Sequence, residues 1–187
     1  GVKLMAEVIK VIGKNAFVQV FESTRGMRVG DEAEFEGHML EVTLGPGMLS
    51  RNYDGLQNDL DKMEGVFLKR GEYTFPLDND KLWDFKPLAK VGDKVTAGGW
   101  LGEVDENFQP HKIMVPFTFK GEYTVKSLKE AGQYTIGEVI AVLTDEAGKD
   151  VEVTMIQRWP VKRAITCYKE KPRPYKLLET GVRTIDT

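Results

Sequence analysis

The chain has 187 residues, is 41% apolar, and carries 26 basic and 29 acidic side chains for a net charge of −3. That length fits one large domain or two small ones, the apolar share supports a buried core, and the near-balanced charge excludes the basic stripe of a nucleic-acid binder. No run approaches the ~18 apolar residues needed to cross a bilayer, GVKLMAEVIK lacks a signal-peptide layout, and the single cysteine, Cys167, excludes an internal disulfide and suits a reducing cytosol, so a soluble intracellular globular piece is expected.

From the N-terminus, AEVIKVIGKNAFVQVFES holds two runs rich in Val, Ile and Phe around Gly13-Lys14-Asn15, which predicts a β-hairpin. MRVGDEAEFEGHMLEVTLGPG predicts turns at Gly30-Asp31 and Glu36-Gly37, short strands at 33–35 and 39–44, and a stop at Gly45-Pro46-Gly47. Residues 1 to about 47 read as part of a small all-β unit with too few strands to close a barrel. YDGLQNDLDKMEG predicts a short helix capped by Asp54, with Leu56, Leu60 and Met63 on one face and Gly65 at its end. VFLKRGEYTFPLDNDK reads as a linker with few packing residues.

From Trp83 to about Val161 the strand pattern returns in WDFKPL, KVTAGGWLGEV, HKIMVPFTFKGEYTVKSL and GEVIAVLTDEAGKDVEVTMIQRW. The last of these predicts a hairpin of 139–143 and 151–156 that bends at Gly148. A second short helix is expected near 127–131. KVGDKVTAG echoes MRVGDEAEF, a weak repeat of one turn chemistry. YKEKPRPYK reads as an extended linker. In LLETGVRTIDT, Leu177, Leu178, Val182 and Ile185 open an apolar pattern with no terminator behind it.

Catalytic constellations are not found. His38 and His111 are far apart, neither at metal-ligand spacing, and both read as surface or strand histidines. Cys167 has no nearby His and reads as a buried or incidental thiol. Gly13-Lys14 and Gly148-Lys149 sit in hairpin turns and are followed by Asn15 and Asp150, so neither is a phosphate loop. The residues assign no catalytic, cofactor-binding or metal position.

Two resemblances bear on the β-rich middle. KVGDKVTAGGWLGEV resembles the half-barrel of biotinyl and lipoyl carrier domains, which attach their group to a lysine at a hairpin tip. Here the expected tip, 105–110, has no lysine, and Lys112 follows Pro110, so a carrier would have to use Lys112. The other resemblance runs nearly the whole chain. VTLGPGMLSRNYDGLQNDL, FLKRGEYTFPLDNDKLWDFKPLAKVGDKVTAGGWLGEV, HKIMVP, GEYTV, VIAVLTDEAGKDVEVTMIQRWPVKR and TGVRTIDT are similar, in order, to the catalytic A subunit family of V-type and archaeal-type rotary ATPases.

That resemblance implies a mainly β fold: a partial N-terminal β-barrel, then an inserted β-rich barrel or sandwich "bulge" domain, with short helices. It implies a division into 1–65 (barrel tail and connecting helix), 66–163 (insert) and 164–187 (linker and start of a nucleotide-binding domain). The span 66–163 is expected to fold by itself, with 83–85 close to 153–159. The chain is expected to be an excised piece that stops short of the family's phosphate loop. The parent would synthesise or hydrolyse Mg-ATP, coupled to proton or sodium passage, while this piece needs no cofactor and acts as scaffold. Its implied partners are the B subunits of the rotary ATPase head and the central and peripheral stalks, at the cytoplasmic side of a membrane it does not itself enter. The alternative is a carrier or another non-enzymatic β-barrel interaction module. Tyr53, Asp54, Arg158, Trp159 and Pro160 are candidates either for subunit contact or for holding the barrel–insert junction. Three departures from the family, Asn58-Asp59 for Arg-Pro, the stretch 164–168, and Val182 for Gln, are expected at surface or linker positions.

Overall fold

Runs of β-branched and aromatic residues between Gly- and Asp-bearing turns become strands, and almost nothing becomes helix. The computed structural model describes residues 2–65, 69–168, 170, 171 and 173–186. The hairpin at Gly13 is present: β1 (Ala6–Ile12) and β2 (Asn15–Val20) pair antiparallel across Gly13, whose φ is +58°. It stands as a two-stranded sheet fastened by side chains. The Tyr73 hydroxyl donates to Glu22 and accepts from the Met5 amide, the Gly71 amide donates to Glu22, and Lys162 reaches Glu7.

Three expectations fail locally. Residues 33–35 form no strand, and the later strand, β3 (Glu41–Leu44), is shorter than expected. Gly30 and Gly37, at φ +101° and +77°, turn the chain on both sides of 33–35 before a ladder can form. The helix over YDGLQNDLDKMEG is replaced by a loop and one 3₁₀ turn, Leu60–Lys62. Gln57 sits at φ +62°, and the Asp54 carboxylate takes the Leu56 and Asn58 amides, so the side chain offers the backbone a non-helical partner. Asp59, not Asp54, caps the turn.

The segment 69–81 is also no idle linker, since Leu77 is 2% exposed and belongs to the core; 66–68 lie outside the described residues.

The middle of the chain builds two four-stranded sheets. One has the order β7 (Gln109–Met114), β6 (Trp100–Glu106), β4 (Leu82–Pro87), β9 (Gly132–Thr135). The other has the order β11 (Asp150–Val153), β10 (Ala141–Thr144), β8 (Tyr123–Leu128), β5 (Lys94–Val95). The hairpin expected around Gly148 is β10–β11. No helix forms at 127–131, because Ser127 and Leu128 are claimed by pairing opposite Val142 and Ala141. The remaining strand, β12 (Gln157–Pro160), pairs with β3, placing Trp159 opposite Val42. A four-residue helix, α1 (Arg183–Asp186), lies in the segment whose apolar pattern opened at Leu177.

Alternation sets the cores. Trp83 and Phe85 point inward from β4 while Leu82 and Asp84 point out. Trp83, Phe85, Leu77, Val104, Ile113, Ile136, Ile140 and Met155 form one cluster, so 83–85 and 153–159 meet through Met155 and not by strand pairing. Leu101, Val115, Val125, Ala141, Leu143 and Val153 form a second cluster, and Leu128 packs against both. β6 supplies Leu101 to one core and Val104, three residues on and so on its other face, to the other, while a bulge between Trp100 and Gly102 breaks its register against β7.

Gly102 lies under the Phe85 ring: an added Cβ would fall 2.2 Å from Phe85 Cε2 and 2.8 Å from the Lys86 carbonyl oxygen. Gly102→Ala is therefore expected to destabilise the fold by about 1–3 kcal/mol, as overpacking of a tight core does. Thermal unfolding of variant and parent reads this directly, and an unchanged midpoint would mean that Phe85 moves freely.

Candidate functional site

The alternation of β6 has a chemical consequence. Gly102, Val104 and Glu106 share the inward face, so a carboxylate is carried into the interior at the strand's end, 2% exposed. A buried carboxylate needs donors. Glu106 Oε1 accepts the backbone amides of Gly47 (2.7 Å) and Leu49 (2.9 Å), and Oε2 lies 2.7 Å from His111 Nδ1 on β7. Gly47 reaches it at φ +104°, where an added Cβ would fall 3.5 Å from Trp83 Cζ2. His111 thus joins a buried carboxylate, whereas His38 remains exposed near Glu36 and Glu41. Trp83 Nε1, beneath the same loop, is buried without a hydrogen-bond partner.

A second buried polar cluster holds the next loop. Asn58 and Asp59 are 4% and 1% exposed, which corrects their placement at the surface. Asn58 donates from Nδ2 to Asp54 and accepts the Thr74 amide, and the Asp59 amide donates to Thr74 Oγ1. Arg51 and Lys62 stand 3.4 and 3.7 Å from the Asp59 carboxylate. Lys62 also donates to the Leu77 carbonyl, so the 51–62 loop is laced to 74–77. Burial, followed by the charge of Asp59, raises the Tyr53 phenol above its usual range, and its hydroxyl donates to the Pro76 carbonyl.

Of the candidate contact residues, Trp159 is buried, Tyr53, Asp54 and Pro160 are half-buried and Arg158 is exposed. Tyr53 and Asp54 belong to this lacing. Trp159 is 7% exposed, stacks edge-on against Phe117 at 5.8 Å and donates from Nε1 to the Arg163 carbonyl. Pro160 sits opposite Glu41 in the β3–β12 pair. Arg158, opposite Thr43, is the exposed one. Cys167 is half-buried, with its sulfur near Gly98.

Lys112 is not at a hairpin tip. It lies within β7, ion-paired to Glu103 across the ladder, with its ammonium 5.0 Å from the centre of the Trp100 ring. The hydrogen bond from Lys112 holds the Glu103 carboxyl below the usual range. A tethered group at Lys112 would have to break that pair, and Lys112 lies as a strand-edge lysine, which argues against the carrier alternative. The tip of β6–β7 is Asn107-Phe108, both at positive φ (+51° and +64°). For a bulky L-residue the left-handed region costs ~1–2 kcal/mol.

Neither Gly-Lys pair lies between a strand and a helix. Gly13-Lys14 and Gly148-Lys149 both join strand to strand. Among the described residues, no group of three or more His, Cys, Asp or Glu is placed to hold a metal ion. Among them, too, no helix is long and apolar enough to cross a membrane.

Comparison with known proteins gives two family matches: the ATPsynthase alpha/beta subunit barrel-sandwich domain over residues 74–162, and the ATP synthase alpha/beta family, beta-barrel domain over residues 1–37. The V-type ATP synthase alpha chain of Treponema denticola is 47% identical over 99% of this chain. Those of Borrelia garinii subsp. bavariensis and Protochlamydia amoebophila are 47% and 44% identical over 100% and 99%. The chain spans about a third of the length of these relatives, 32% of the Treponema protein.

Glu106 is the residue of this site that sequence reading missed, because DENFQP reads locally as a solvated hairpin tip in which only a lysine would signal chemistry. Glu106→Ala is expected to cost about 3 kcal/mol, since two backbone amides and the His111 ring lose a buried acceptor. Glu106→Gln retains one acceptor oxygen and is expected to cost less. Urea unfolding midpoints separate the two, and equal small losses would show that water replaces the carboxylate.

Proposed function

Because the chain belongs to the ATP synthase alpha/beta family, we propose that it is the barrel and barrel-sandwich part of the catalytic A subunit of a V-type ATP synthase. The whole protein would make or hydrolyse Mg-ATP, coupled to proton or sodium passage through a separate membrane part, in the soluble head on the cytoplasmic side. Its partners there would be the B subunits of the head and the central and peripheral stalks. The observation that carries this reading is similarity at 44–47% identity along essentially the entire chain to relatives that bear that name.

The role proposed for these residues is mechanical. Phosphoryl transfer needs a phosphate loop, a magnesium ligand set and a cation for the transferred group. What the geometry here offers instead is rigidity: a buried carboxylate pinning one loop, a buried Asn-Asp pair lacing another, and strand pairing between residues far apart in sequence. Such a body can hold a catalytic domain and its neighbours in fixed relation. The full-length protein, assembled with its partners, is expected to hydrolyse Mg-ATP. Calorimetric titration of the 187-residue chain with Mg-ATP is expected to be flat, and a saturable micromolar signal would overturn the scaffold role.

The division into 1–65, 66–163 and 164–187 is proposed with one refinement: the middle unit takes β3 and the Gly47 loop with it. Pairing of β3 with β12, and Glu106 bound to Gly47 and Leu49, support this. Residues 39–163 expressed alone are expected to melt cooperatively, and 66–163 at a lower midpoint. Equal midpoints would restore the boundary at 66.

A further inference from the structure

The outer edge of β3 is closed by a side chain. β12 pairs along the other side of β3, and the Val161 amide continues that ladder by donating to the Leu40 carbonyl. Leu40, Val42 and Leu44 therefore turn their backbone groups toward β12, and Thr43, opposite Arg158, turns its own away. Among the described residues no strand lies on that side, since β3 and β12 form a two-stranded sheet. The Gln57 carboxamide lies there instead. Its Oε1 accepts the Thr43 amide and its Nε2 donates to the Thr43 carbonyl, both at 2.7 Å. These are the two bonds that a residue of a third strand would make.

The loop is built to present this side chain. Gln57 has a φ of +62°, in the left-handed region that L side chains rarely adopt. Its amide donates to the Asp54 carbonyl, and the Asp54 carboxylate takes the amides on both sides of it, Leu56 and Asn58. Thr43 is 9% exposed beneath it. A strained residue held by its neighbours and aimed at one backbone position marks a contact kept for a purpose.

We propose that Gln57 is an in-chain edge guard: its carboxamide stands in for a strand and keeps β3 from pairing with β3 of a second copy of this chain. A second copy is the occupant that the geometry favours. Thr43 offers one donor and one acceptor side by side, and in an antiparallel pair two such residues exchange both bonds with each other. The resulting contact is two-fold and uses the same patch on both copies. A carboxamide tethered in the same chain meets Thr43 at an effective concentration of about millimolar, so it excludes a free copy at lower concentrations. Strand edges left open are where chains join.

The test uses the full-length protein. Gln57→Gly removes the carboxamide and suits the left-handed backbone, whereas Gln57→Met removes it and keeps the side chain's length. Amide exchange and sedimentation are followed from dilute to concentrated solution. In dilute solution the Thr43 amide is expected to exchange about tenfold faster in both variants, as loss of one hydrogen bond allows. With rising concentration both variants are expected to form a dimer that the unsubstituted protein does not, and protection is expected to return at Thr43. Unchanged exchange at Thr43 overturns the surrogate strand. Fast exchange without a dimer, or a dimer that leaves Thr43 unprotected, overturns the guard. Loss of cooperative melting in both variants overturns it too, since Gln57 would then be a structural support only.

Discussion

A carboxylate turned into the interior constrains everything around it. Glu106 faces inward because strand alternation places it on the same face as the buried Gly102 and Val104. Left without donors there, it would cost more than most single contacts contribute. Its two amide donors come from a loop 57 and 59 residues earlier in the chain. Satisfying one side chain thus fixes where the Gly45-Pro46-Gly47 turn runs, and with it the course of the chain into Ser50 and the 51–62 loop.

That course is secured again by a different kind of polar burial. Asn58 and Asp59 use backbone amides, Thr74 and two cations to satisfy themselves. Partly satisfied, such a cluster would be worse than an apolar core, but fully bonded it specifies one arrangement. Together with the β3–β12 pair, these contacts make 41–62 and 74–77 part of the same body as the barrel-sandwich strands.

Surface and core divide unevenly. The β1–β2 hairpin keeps Ile9, Val11, Ile12 and Phe17 more than half exposed, whereas the two four-stranded sheets bury nearly all their inward residues. A two-stranded sheet has too little area to cover both its faces, and hydrogen bonds and an ion pair from the Tyr73 hydroxyl, the Gly71 amide and Lys162 do the fastening instead.

Sequence alone determined the strand-rich class, the hairpins at Gly13 and Gly148, and the run of strands from Trp83, because period-two patterning and turn residues act over a few neighbours. The order of short strings also identified the family before any geometry. What local pattern could not decide lay where distant segments compete for the same groups. Asp54 reads as a helix cap until its own loop uses it, and Ser127 and Leu128 read as helix until β10 pairs with them. Leu77 reads as linker until the core takes it, and Asn58, Asp59 and Glu106 read as surface until their partners arrive from elsewhere in the chain. Only the tertiary structure brings those partners within hydrogen-bonding distance, and burial then turns ordinary polar residues into the ones that specify the fold.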